Sequence, residues 1–136
     1  RTGVDVGNMG RGMARILVID DDELVRFTLR RILDARRHEV VEAEDGNQGL
    51  ALQAAHAFDL VITDLLMPEK EGIETILELK QADPALRIIA ISGGGVDGYA
   101  GYLKSASRLG ANHTLAKPFS HDDLLRCVDA CLDEVA

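Results

Sequence analysis

Basic side chains are in deficit here: 15 Lys and Arg stand against 23 Asp and Glu, a formal net charge of −8 over 136 residues. That balance opposes non-specific attraction to nucleic acid or to an anionic membrane surface, and it favours cations or basic ligands as partners. No apolar run approaches the ~20 residues needed to cross a bilayer. The N-terminus also lacks the apolar core of a secretory signal, so a cytoplasmic location is expected. Cysteine is nearly absent. Cys127 and Cys131 fall on one face of an apolar helical pattern and read as two core thiols. A zinc site with His121 would need more ligands than lie nearby. The remaining histidines, His38, His56 and His113, are scattered and read as surface or boundary residues. Internal repeats and low-complexity blocks are missing as well.

What remains is a chain of the length of one compact domain, with 46% hydrophobic residues to supply a continuous core. Residues 1–12, RTGVDVGNMGRG, carry four glycines and no apolar periodicity, and read as a disordered leader or cloning remnant, with Met13 as a candidate natural start. From residue 13 to 136 short apolar runs alternate with helical patterns, the signature of an α/β domain with a parallel sheet. The apolar runs are Ile16–Ile19, Val40–Val41, Leu60–Ile62, Ile88–Ile91 and Thr114–Ala116. Helical stripes are expected at Val25, Leu29, Ile32 and Leu33; at Leu50, Ala51 and Ala54; at Ile73, Ile76 and Leu77; near Tyr99; and at Leu124, Val128, Cys131, Leu132 and Val135 behind a Ser120 cap. Asp45-Gly46 and Asp83-Pro84 punctuate the pattern. Five strands and five helices are predicted. The polar-flanked second run is expected at an edge, and the continuous first, third and fourth runs in the interior.

The chemistry gathers where the apolar runs end. Asp20, Asp21 and Asp22 follow the first, Asp64 the third, Ser92 the fourth and Lys117 the fifth. In a parallel sheet these ends share one edge, where ligands bind. Crowded carboxylates call for a cation, and hard oxygen donors with incomplete protein coordination suit Mg²⁺. Lys117 adds a compact positive charge and Ser92 a hydroxyl, which completes a set able to stabilise a transferring phosphoryl group. Asp64, alone at its strand end, is the candidate acceptor.

The segments ILVIDDDELVR, VITDLLMP, IIAISGG and LAKPF resemble, in order, the receiver domain of bacterial two-component response regulators of the chemotaxis-regulator kind. The resemblance covers about residues 14 to 134. It implies a doubly wound, flavodoxin-like sheet of order 2-1-3-4-5 with helices on both faces. It implies Asp64 as phosphoacceptor, forming an aspartyl phosphate. Asp20, Asp21, Asp64 and the backbone carbonyl of Leu66 become the Mg²⁺ ligands, Ser92 and Lys117 the groups that meet the phosphoryl oxygens, and Lys117-Pro118 a cis bond. Asp22 is extra and is expected to be only solvated. The implied donor is a sensor histidine kinase or a histidine phosphotransfer protein. The reader is a downstream protein effector, which meets the face formed by the helix near Tyr99, the fifth strand and the last helix. Neither nucleic acid nor membrane is an expected partner. Such a chain is a phosphorylation switch in a phosphorelay and catalyses only its own phosphoryl transfer and dephosphorylation.

Two departures from the family pattern stand out. Thr114 occupies the place, three before the lysine, where an aromatic residue is usual, and Gly93, Gly94 and Gly95 loosen the neighbouring loop. Ordering of that loop, with packing of Tyr99 or Tyr102, is an alternative carrier of the signal; both tyrosines merely completing a helix face is the plainer reading. Leu66 cannot orient a hydrolytic water by hydrogen bonding, so the lifetime of the phosphorylated form is expected to differ from that of a Leu66→Asn variant. Two rival classes stay open: a Mg²⁺-dependent phosphatase using Asp20-x-Asp22, and a binding module that keeps the fold without the chemistry.

Overall fold

The computed structural model describes residues 14–65, 72–93, 107 and 110–133. The expected leader, Leu66, the two later loop glycines, both tyrosines and the helix near Tyr99 lie outside the described residues. In chain order the elements are β1 (Arg15–Ile19), α1 (Glu23–Ala35), β2 (Glu39–Ala43), α2 (Gly46–His56), β3 (Leu60–Asp64), α3 (Gly72–Ala82), β4 (Arg87–Gly93), β5 (His113–Lys117) and α4 (His121–Asp133). All strand pairs are parallel and the sheet order is β2-β1-β3-β4-β5, as the resemblance implies. None of the described helices is long and apolar enough to cross a membrane.

Pleating divides the core into two layers. Ile16, Val18, Leu60, Ile62, Ile89 and Ile91 face one side, against Leu29, Ile32 and Leu33 of α1 and Leu124, Val128 and Cys131 of α4. Leu17, Ile19, Val61, Ile88 and Ala90 face the other, against Ile76 and Leu79 of α3. Both faces of β1, β3 and β4 are therefore buried, which is why these strands read as unbroken apolar runs. The polar-flanked β2 lies at one edge and β5 at the other.

Side-chain caps set the helix starts. Asp22 accepts from the Leu24 amide (2.9 Å) at the head of α1, and Asp45 from the Gln48 amide (2.8 Å) at the head of α2. Ser120 Oγ accepts from the Asp123 amide (3.0 Å), and Asp123 Oδ2 accepts in return from the Ser120 amide (3.5 Å). The expected Ser120 cap is therefore present.

One helix gains a face that the sequence left open, and two expectations need correction. On α2 the sheet-facing positions are Gly46, Gly49 and Gln53, while Ala51 and Ala54 are exposed. A Cβ on Gly49 would lie 2.4 Å from Ile19 Cδ1, so at that point the helix comes too close to β1 for a side chain to fit between them. On α3 the buried stripe runs through Gly72, Thr75, Ile76 and Leu79, which turns Leu77 outward, 40% exposed. His38 is no surface residue. It is buried, and its Nδ1 accepts from the Ala14 amide (3.2 Å), tying the start of β1 to the turn before β2.

Two predictions follow from this packing. A Cβ on Gly72 would meet the Asp64 carbonyl oxygen at 2.1 Å and Leu65 Cα at 2.6 Å, both backbone atoms that cannot swing aside. Gly72→Ala should therefore destabilise the domain by about 1–3 kcal/mol in urea unfolding. Burial holds the His38 imidazole below its ordinary value of 6.5; nearby Asp129 opposes this and Arg36 reinforces it. The unfolded chain takes up this proton first, so stability is fullest above that value and declines as pH falls through it. The loss of stability between about pH 7.5 and about pH 5.5 should be smaller in His38→Asn, which keeps an acceptor for Ala14. Equal losses in urea titrations would mean that His38 charges without penalty.

Candidate functional site

The parallel register brings the predicted residues to one sheet edge. Ile19 pairs with Thr63 and Asp64 with Ile91, so Asp20 and Asp64 end adjacent central strands. Ser92 pairs with Ala116 and Gly93 with Lys117, which sets the hydroxyl and the ammonium on the next two strands outward. Thr63 is buried beside them, its Oγ1 donating to the Asp64 carbonyl (3.0 Å).

Asp20, Asp21 and Asp64 converge, with one carboxylate oxygen from each lying within 4.8 Å of the others. Asp20 is 1% exposed and Asp64 6%, whereas Asp21 opens to solvent. Lys117 Nζ stands 3.3 Å from Asp20 Oδ2 and 3.8 Å from Asp64 Oδ2. The Lys117-Pro118 peptide is cis. The Leu65 amide is shared between Asp64 Oδ1 and the Ile91 carbonyl, both at 2.9 Å, which aims the Asp64 carboxylate and closes the end of the ladder. Ser92 is fully buried, and its Oγ has no hydrogen-bond partner among the described residues. A buried hydroxyl is costly to leave unsatisfied, so this position favours an acceptor beside Ser92 Oγ.

Electrostatics agrees with the geometry. Burial pushes the Asp20 carboxyl above the ordinary carboxylate range. The Asp22 amide and Lys117 pull it back, and Asp21 repels it further. Among the described residues one ammonium faces three carboxyl groups, which leaves the cluster short of positive charge. Hard oxygen donors, incomplete protein coordination and a charge deficit fit Mg²⁺ far better than a soft transition metal.

Asp22 is separate from this cluster. Its carboxylate caps α1, and its amide donates to Asp20 Oδ1 (2.8 Å). The expectation that it is only solvated is corrected: it is a helix cap that also helps to hold Asp20. Two contributors escaped the sequence reading. Gly72, seen only as a loop bracket, lets α3 start against the Asp64 carbonyl, its own amide donating to Leu65 O (2.9 Å). Asn112 pins the base of β5 to β4, its Oδ1 accepting from the Ile88 amide (2.9 Å) and its amide donating back to Ile88 O (2.8 Å). A polar residue directly ahead of a strand was the available signal for Asn112. Of the remaining predicted ligands, Leu66 lies outside the described residues.

Residues 16–129 match the family described as the response regulator receiver domain. The chain is 37% identical over 120 residues to the chemotaxis protein CheY of Bacillus subtilis (strain 168), covering 88% of this chain and 98% of that protein. It is 36% identical over 122 residues to the transcriptional regulatory protein CpxR of Klebsiella pneumoniae subsp. pneumoniae (strain HS11286), covering 88% of this chain but 50% of that one. A solved CheY-like receiver domain from Methanospirillum hungatei JF-1 superposes with a TM-score of 0.83 at 28% identity, covering 90% of this chain and 95% of that one. Fold, edge cluster and relatives agree, and the chain belongs to the response regulator receiver domain family.

Proposed function

We propose that residues 13–136 form the phosphoacceptor domain of a two-component phosphorelay, with Asp64 taking a phosphoryl group from a phosphohistidine on a sensor kinase or phosphotransfer protein. The observation that carries this reading is the convergence of Asp20, Asp21 and Asp64 beside Lys117, with the unpartnered hydroxyl of Ser92 on the neighbouring strand.

Asp20, Asp21 and Asp64 would hold Mg²⁺, with the backbone carbonyl of Leu66 carried over from the family pattern. When bound, the ion supplies positive charge that lets the carboxylates stay ionised and attracts phosphoryl oxygens. The Asp64 carboxylate attacks phosphorus in line; the new O–P bond forms as the donor's P–N bond breaks, and the imidazole keeps the electron pair and takes up a proton. The Lys117 ammonium, already 3.8 Å from Asp64, neutralises equatorial oxygen charge. Ser92 Oγ donates to another phosphoryl oxygen and so gains the partner it lacks. The product carries roughly two negative charges by analogy with phosphoserine, and it biases the loops at this edge between two arrangements. A downstream protein then reads the state. The domain processes no other substrate, and the setting is the cytoplasm.

Incubating the protein with Mg²⁺ and a small phosphodonor should add one hydroxylamine-labile phosphoryl group by intact mass. The adduct should be absent in Asp64→Asn and after chelation of the metal. An adduct that persists in Asp64→Asn would refute the assignment. Lys117→Met should slow the transfer by about 100-fold while leaving the fold intact by circular dichroism.

A further inference from the structure

We infer that Arg26 is a positioning residue for the Mg²⁺ ligands Asp20 and Asp21, acting through the backbone and braced by Glu42. The inference rests on the Mg²⁺ reading above and goes beyond the ligands themselves.

Arg26 lies on the second turn of α1 with its side chain 12% exposed. Its Nη1 donates to the Asp20 carbonyl oxygen at 2.7 Å, and its Nε donates to Glu42 Oε1 on β2 at 3.1 Å. The other oxygen of Glu42 is held by Arg30 Nε. One guanidinium thus spans from a fixed strand to the peptide unit between Asp20 and Asp21. The carbonyl of Asp20 and the amide of Asp21 lie in one plane, so gripping that oxygen fixes where both residues leave the end of β1.

Repulsion makes this grip necessary. With three carboxylates converging, the easiest relaxation in the absence of a cation is rotation of the Asp20–Asp21 peptide, which leads to the exposed Asp21, away from Asp64. Three contacts oppose it: the Asp20 amide donates to Ala43 O (3.1 Å), Asp20 Oδ1 accepts from the Asp22 amide (2.8 Å), and Asp20 Oδ2 accepts from Lys117 Nζ (3.3 Å). None of them reaches the Asp20 carbonyl. The Arg26 side chain does, and its other arm is anchored on β2, outside the loop that would turn. Arg26 therefore preorganises the acidic pair, and metal binding does not have to gather it.

The test compares Arg26→Met, Arg26→Lys, Glu42→Ala and, as control, Arg30→Met, which removes an arginine from Glu42 but leaves the Arg26–Glu42 and Arg26–Asp20 contacts in place. Mg²⁺ affinity is read by titration calorimetry, the phosphorylation rate by a small phosphodonor at low and saturating Mg²⁺, and stability by urea. Arg26→Met should weaken Mg²⁺ binding by about ten-fold or more, with most of the rate recovered at saturating metal. Arg26→Lys and Glu42→Ala should fall between it and wild type, and Arg30→Met should bind Mg²⁺ as wild type does. A merely structural role would lower stability and leave the Mg²⁺ dependence unmoved. If Arg26→Met proves unfolded, Arg26→Lys and Glu42→Ala decide, and wild-type Mg²⁺ affinity in both overturns the inference. Failure of the wild type to bind Mg²⁺ would overturn the functional reading as well, whereas equal affinity in wild type and variants overturns this inference alone.

Discussion

Repulsion among three carboxylates that, among the described residues, share one ammonium is the constraint around which this domain is arranged. Asp20, Asp21 and Asp64 have oxygens within 4.8 Å of one another, and Lys117 reaches two of the three. Left to a flexible chain, such a group would disperse. Here the ends of β1 and β3 hold it together, and these strands are buried on both faces and paired in fixed register. Hydrophobic burial on the two layers thus offsets an electrostatic cost concentrated at one edge. The surplus negative charge that remains is of the kind a small hard cation would neutralise.

Much of this arrangement was legible because parallel strands leave a plain trace. Ile16–Ile19, Leu60–Ile62 and Ile88–Ile91 are apolar without alternation, and each run ends in a residue able to do chemistry. That pattern yields sheet order and site together once the family resemblance is added. Helix phase was harder to read. Residue type groups Leu77 with Ile73 and Ile76 and marks two alanines on α2, yet the inward faces include Thr75 on α3 and Gly46, Gly49 and Gln53 on α2. Hydrophobicity says which residues prefer burial; the closeness of helix to sheet decides which ones fit. His38 was misread for a different reason, since its partner is the Ala14 amide, 24 positions away. Asp22 looked redundant in a run of three aspartates, because the geometry of the helix start separates a cap from a ligand.

The comparisons add a point about scale. The chain spans 98% of one relative, a chemotaxis protein, and about half of another, a transcriptional regulatory protein. One receiver unit therefore occurs in chains of quite different length. That fits a site whose described parts are all supplied from within a single sheet and the helix starts that abut it.

The amine sits on the outermost strand. β5 bonds only to β4, whereas β1, β3 and β4 each have two neighbours. Detaching it locally breaks one ladder, whereas freeing β3 breaks two. The carboxylates thus stand at the ends of strands braced on both sides, and their counter-charge on a strand braced by the sheet on one side alone.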